Sequence, residues 1–168
     1  MEIVVNDTNI FIDLYTIGLL EDFFNLPISM HTVDFVVNEI TNQEQLNVIN
    51  NYIDNKKLTV HSFDVKELIE VIELHNSVPG NLSITDCAVW YCAKCHNYTL
   101  LTGDRQLRDR ATESKVIVKG VIYIFDLLVE HNVITPKVAS EKIQQLLSHN
   151  PRLPKSIIRE RITQWEII

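Results

Sequence analysis

Across 168 residues the sequence has only four glycines, five prolines and three cysteines. So little glycine and proline leaves no place for a collagen-like repeat or a Pro/Gly-rich disordered segment, and no repeat or low-complexity stretch is visible. No apolar run approaches the roughly 20 residues that cross a bilayer, which excludes a helical membrane span. The opening MEIVVNDTN lacks the basic flank and small-residue cleavage site of a secretory leader. The expectation is a cytoplasmic protein. Cys87, Cys92 and Cys95 are odd in number and share one short segment, which suits reduced thiols rather than a disulfide framework. Cys92-x-x-Cys95-His96 suggests zinc, but a closed structural site needs four ligands and no second pair stands at a recognisable spacing. The three thiols are expected to pack inside a helix, as small free cysteines do. The six histidines show no ligand-like pairing on any helix.

What is present fits one soluble-type globular domain, with 46% hydrophobic and 22% charged residues in a chain of ordinary domain length. The net charge of −7 is unevenly spread. Residues 1–93 carry 14 Asp and Glu against three Lys, whereas residues 94–168 carry 12 Lys and Arg against eight acids. A basic surface can therefore arise only from the second half, where Arg105, Arg108, Arg110, Lys115 and Lys119 cluster in sequence.

Apolar β-branched runs alternate with helical periodicity along the chain. Strands are expected at Ile3–Val5, Ile28–His31, Leu58–Phe63, Thr99–Leu101 and Val116–Val118. Helices are expected from about Ile10, from near Thr32, over 43–55, from Asp64 to His75, and over 83–96, 121–131, 136–148 and 154–166. Asn76–Leu82, with Pro79 and Gly80, reads as a loop, and Pro136 and Pro154 stand near helix starts. Such alternation implies an α/β fold with a mainly parallel five-stranded sheet, right-handed crossovers and helices over both faces, plus additional C-terminal helices.

In open α/β sheets, ligands gather beyond the carboxyl ends of the strands. Asp7 follows the first strand and Asp104 follows the fourth through Thr102-Gly103. Asp86 opens the helix before the fourth strand, and Glu39 lies in the helix after the second. Singly, each has a structural explanation. Asp7 and Asp104 fit N-caps, Ser83-x-x-Asp86 is a variant capping box, and Glu39 fits a solvated position beside Val33, Val36, Val37 and Ile40. Together they form a group of carboxylates whose mutual repulsion a cation would relieve. Hard oxygen ligands suit Mg²⁺ or Mn²⁺, and water-mediated cleavage of a phosphodiester is the matching chemistry.

Four segments carry a resemblance in order and spacing: Val4-Val5-Asn6-Asp7-Thr8-Asn9-Ile10-Phe11-Ile12-Asp13, Val36-Val37-Asn38-Glu39-Ile40, Leu82-Ser83-Ile84-Thr85-Asp86-Cys87-Ala88, and Leu100-Leu101-Thr102-Gly103-Asp104-Arg105-Gln106-Leu107. They resemble the four motifs of PIN-domain nucleases, and the Lys119-Gly120 turn with its following helix is similar too. The resemblance implies a three-layer α/β/α sandwich forming a single PIN-like domain over 1–168, with its core at about 1–130 and a helical extension at about 131–168. It implies a ribonuclease that binds Mg²⁺ or Mn²⁺ through Asp7, Glu39, Asp86 and Asp104, supported by the hydroxyls of Thr8 and Thr102. With RNA as substrate, Arg105, Arg108 and Lys119 are candidates for contacts to it. Many bacterial members are toxins, usually homodimeric, whose antitoxin partner fills the acidic pocket. The chain departs from them in its longer C-terminus and in Leu107, which stands where many toxin members have a further acid, Asp109 being out of register.

Three other readings compete. A haloacid-dehalogenase phosphatase needs an aspartate two positions after Asp7, and that position is Asn9. A receiver-like phospho-acceptor domain would use Asp7, Asp64, Thr102 and Lys119, but leaves Glu39 and Asp86 without roles. A catalytically inactive PIN-like binding module would reduce the acids to caps. Trp90 and Trp165 are expected to be packing residues.

Overall fold

The computed structural model describes residues 2–167. Its sheet has five strands, β1 (Ile3–Asn6), β2 (Ser29–Val33), β3 (Leu58–His61), β4 (Thr99–Leu101) and β5 (Val118–Lys119), in the order β3-β2-β1-β4-β5. Every pairing is parallel. The mainly parallel five-stranded sheet with helices around it is therefore the fold the chain adopts. The central strand reads as a short continuous apolar run because a parallel strand is covered on both faces, and Val4 and Val5 are fully buried.

The described residues form two compact units. One comprises residues up to 10 together with 27–120, and holds the whole sheet. Its helices are α3 (Asp34–Glu39), α4 (Gln43–Asp54), α5 (Val65–Ser77), α6 (Ile84–His96) and α7 (Arg105–Glu113), and the first turn of α1 (Thr8–Thr16) also belongs to it. Helix α6 packs on β1, β2 and β4. Its buried stripe runs through Cys87, Ala88, Val89, Trp90, Cys92 and Ala93. Cys87 and Cys92 pack as expected, but Cys95 is exposed because the buried stripe ends at Ala93. Where α6 ends, His96 and Tyr98 meet two strand residues: His31 Nδ1 lies 2.9 Å from His61 Nε2, and the His61 and His96 rings are 4.9 Å apart.

The other unit comprises residues 11–26 and those from 121 onward. It contains the rest of α1, α2 (Leu20–Phe24), α8 (Val121–Glu130), α9 (Pro136–His149) and α10 (Lys155–Glu166). Phe125 stacks on Trp165 with ring centroids 5.9 Å apart, so Trp165 is a packing residue. Lys142 Nζ donates to the Ile17 carbonyl at 2.6 Å beside Gly18, whose φ of +69° takes the chain out of α1. Thr135 caps α9 with Pro136 in its first turn. Among the described residues no helix is long and apolar enough to cross a membrane.

Some element edges differ from those expected. The fifth strand is Val118–Lys119 rather than Val116–Val118, because the Val116 N–H donates to the Ala111 carbonyl and closes α7. The third strand stops at His61, short of the expected Phe63; three residues on, Asp64 caps α5 in a reciprocal capping box with Glu67. The second starts one residue later than expected and continues to Val33, which displaces the helix start from Thr32 to Asp34.

Candidate functional site

The strand order fixes where a ligand belongs. From β1 the chain steps outward through β2 to β3, then returns to place β4 on the other side of β1. The reversal opens a crevice between the carboxyl ends of β1 and β4, the position where open parallel sheets bind ligands. Asp7 and Thr102 leave those two ends side by side, the Asp7 N–H donating to the Leu101 carbonyl at 3.0 Å. The Thr102 hydroxyl donates to Asp7 Oδ2 at 2.7 Å and accepts the Asp104 N–H at 3.0 Å. Asp104 caps α7, its Oδ1 accepting the Leu107 N–H at 2.7 Å. One threonine thus ties two carboxylate residues from opposite sides of the crevice.

A second threonine does the same on the other flank. Thr8 donates its N–H to Asp7 Oδ1 at 2.7 Å and its hydroxyl to Glu39 Oε2 at 2.6 Å. Glu39 is the last residue of α3. The result is one hydrogen-bonded run, Glu39, Thr8, Asp7, Thr102 and Asp104, drawn from three separate stretches of sequence. Asp86 stands at the third position of α6, where its Oδ2 accepts the Ser83 N–H at 2.7 Å and the Ser83 hydroxyl at 2.9 Å. No hydrogen bond joins it to the run, but charge does.

Asp7 is 2% exposed. Burial pushes its carboxyl up to about 6, opposed by the Thr102 hydroxyl and assisted by the charge of Asp86, while the Thr8 N–H lowers it and Glu39 raises it. The Asp86 carboxyl is also raised, first by burial, with the Ser83 hydrogen bonds opposing and Asp104 and Glu39 adding repulsion. The four acids therefore sense one another across the crevice.

A family model for the PIN domain matches residues 3–166. The chain belongs to the PIN-domain family. Members of this family are in general nucleases, and PIN nucleases in general use divalent metal ions. Solved structures similar in backbone include VapBC2 from Rickettsia felis bound to a DNA fragment from their promoter, at 20% identity and TM-score 0.45, covering 70% of this chain and 98% of that one. FitAcB from Neisseria gonorrhoeae matches at 13% identity and TM-score 0.41, covering 68% and 95%. FitAB bound to the IR36 DNA fragment matches at 14% and 0.43, covering 70% and 94%. A comparison with curated proteins gives no match.

In this PIN domain no group of three or more His, Cys, Asp or Glu closes into a ready-made metal cage among the described residues. The donor set nonetheless suits a hard divalent ion. Asp86 Oδ1, Asp104 Oδ2 and Glu39 Oε1 accept no hydrogen bond among the described residues, while the partner oxygen of each is held in place. A Mg²⁺ site commonly uses one or two carboxylates and completes its shell with water and substrate phosphate. Asp7 at about 6 is a buried acid that a neighbouring cation would return to its charged form.

The remaining candidates separate. Arg108 reaches the site edge, its Nη2 donating to the Thr102 carbonyl at 3.2 Å. Arg105 points away, 91% exposed and 3.9 Å from Asp109. Lys119 ends β5, its carbonyl accepting the Thr102 N–H at 3.1 Å. Asp64, central to the receiver alternative, is exposed and engaged in capping α5 at the outermost strand. Leu107, the departure from the toxin pattern, is fully buried. Trp90 is buried and donates to Ser114 at 2.8 Å, a packing role. Asn6 stands in the first motif without a role assigned from sequence; it is fully buried beside Asp7 and donates to the His31 carbonyl at 3.0 Å, and a polar residue ending an apolar strand was its signal. Gly120 reads as a turn in the sequence, but its contact with Arg108 leaves no sign there, since the two are twelve residues apart.

Proposed function

We propose that this PIN-domain protein is a metal-dependent endoribonuclease that hydrolyses RNA phosphodiester bonds with Mg²⁺ or Mn²⁺. Asp7, Glu39, Asp86 and Asp104 would hold the ion, the last three each with an oxygen that accepts no hydrogen bond among the described residues. A bound ion supplies a Lewis acid that lowers the pKa of water and neutralises charge on the phosphate. Thr8 and Thr102 tie Glu39, Asp7 and Asp104 into one hydrogen-bonded run, with Asp7 buried at its centre. Asp86, whose carboxyl is raised by burial, would accept the proton left by the attacking water. The carrying observation is the hydrogen-bonded run from Glu39 to Asp104 at the chain reversal between β1 and β4.

The test is cleavage of varied RNAs with either ion by the parent, Asp7→Asn and Asp104→Asn proteins. Cleavage by the parent that both variants lose is expected; no cleavage by the parent with either ion overturns the reading. The same reading includes a homodimer and an antitoxin partner that occludes the acidic pocket, as the resemblance to toxin-type members implies. Co-purification with the product of an adjacent small gene, with loss of cleavage, checks the latter.

A further inference from the structure

Helix α7 carries three arginines, and two of them are neutralised by their own helix. Arg105 faces Asp109 at 3.9 Å, and Arg110 donates to Glu113 at 3.1 Å. Arg108 is different. It is half-buried, and among the described residues its guanidinium forms no ion pair and makes a single hydrogen bond, to the Thr102 carbonyl. A guanidinium has five N–H donors in a rigid fork, so four remain uncommitted.

Its place is built by a glycine. A Cβ added at Gly120 would stand 2.7 Å from Arg108 Nη2, closer than side-chain carbons approach, and 3.6 Å from the Thr102 carbonyl oxygen. Gly120 has no left-handed backbone to accommodate, so the missing side chain there provides space and not conformational freedom. The guanidinium lies between the ends of β4 and β5, against the residue whose hydroxyl joins Asp7 to Asp104. A cation held against Thr102, the residue that links two of the acids, yet paired with no carboxylate among the described residues, is arranged for an anion that arrives from outside. A bidentate fork suits a phosphate.

We propose that Arg108, seated against Gly120 and the Thr102 carbonyl, receives a backbone phosphate of single-stranded nucleic acid beside the acidic site. The proposal rests on the nuclease reading for its ligand, but it is tested without cleavage. Fluorescence anisotropy of labelled single-stranded RNA, and separately of single-stranded DNA, is followed over a salt series in EDTA for the parent, Arg108→Gln, Arg108→Lys and Gly120→Ala. Arg108→Gln is expected to weaken RNA binding about tenfold and to flatten the slope of log K against log salt by about 0.7, the loss of one phosphate contact on a single strand. Gly120→Ala should reproduce that loss with the charge still present, because the new methyl displaces the fork, and Arg108→Lys should keep most of the slope. Equal changes on DNA identify the phosphate as the group read; a change confined to RNA adds a contact to the ribose. A merely structural Arg108 would lower thermal stability and leave the slope alone.

An unchanged slope in Arg108→Gln overturns the proposal, as does a parent that binds neither polymer. Should Arg108→Gln not fold, Gly120→Ala decides, since it retains the arginine. A parent that binds with the expected slope change but cleaves nothing would overturn the nuclease reading and leave Arg108 as assigned.

Discussion

The acidic cluster after β1 and β4 and the imidazole cluster of His31, His61 and His96 sit in the same unit, and burial pushes both toward their neutral forms. The Asp7 and Asp86 carboxyls are raised, and the His31 and His61 imidazoles are lowered, burial first and then the charge of neighbouring histidines. A shifted pKa therefore does not by itself separate a site from scaffold. The difference lies in what remains unsatisfied. The imidazoles satisfy one another: His31 Nδ1 meets His61 Nε2, Ser29 Oγ meets His31 Nε2 at 3.0 Å, and Tyr98 stacks on His96 with centroids 5.2 Å apart. The carboxylates keep oxygens that accept no hydrogen bond among the described residues, at the place where the strand order reverses. Shared repulsion without an internal cation marks the acidic cluster as the one that requires a ligand.

The largest expected effect would break this contrast outright if it failed. Asp104→Asn should reduce metal-dependent RNA cleavage about 100-fold or more, whereas His61→Asn, measured at pH 7.5 on the same RNA, should change it by less than about twofold. Comparable losses in both would mean that the imidazoles are part of the site.

Next in size is stability. Asp7 binds its proton more tightly folded than unfolded, so between about pH 4 and 6 the folded state carries more protons. Its contribution to stability therefore falls as pH rises through that window and stays low above it. A shift from 3.8 to about 6 corresponds to about 2–3 kcal/mol. Asp7→Asn should accordingly be more stable than the metal-free parent at pH 7 by about that amount in urea unfolding, while losing cleavage. A destabilised Asp7→Asn would show that the carboxylate is held by attractive contacts the hydrogen bonds do not account for.

Thr102→Val comes third. It removes the donor that lowers the Asp7 carboxyl and the acceptor of the Asp104 N–H, so cleavage should fall about tenfold and its rise with pH should move upward. An unmoved pH profile with reduced cleavage would assign Thr102 to packing alone.

The smallest effect has the opposite sign to that of Asp7. The His31 and His61 imidazoles are harder to protonate folded than unfolded, so their contribution is complete above about pH 6.5 and is lost as pH falls below it. The groups that act on the pair are His96 from α6 and Glu67 from α5, the latter favouring the charged form of His61. His31→Asn should weaken the destabilisation seen between pH 6.5 and 5 in an Asp7→Asn background, where the aspartate no longer offsets it.

Much of this was legible from local pattern. The order of strands and helices follows from runs such as Ile3-Val4-Val5 and the spacing of Ile10, Phe11, Leu14 and Ile17. Asp7 and Asp104 stand out because a short polar residue at a strand end has few neighbours to choose from. The features that escaped depend on contacts between distant segments. His31 and His61 belong to different strands, so no helical spacing could pair them. Gly120 matters because of Arg108, and a single missing methyl leaves no periodic trace. The five-residue α2 is too short to show a period, and the grouping of residues 11–26 with those from 121 onward is decided by packing.

The pairing of β1 with β4 joins residues 95 positions apart, as the Thr102 to Asp7 bond measures. Such a contact is among the slowest to form, and a chain emerging from the ribosome exposes strands one, two and three well before the fourth. During that interval Asp7 and Glu39 are present, Asp104 is absent, and the crevice has only one wall. A chain proposed to cut RNA therefore gains its full acidic site only after the fourth strand has been made, through nothing more than the order of its strands.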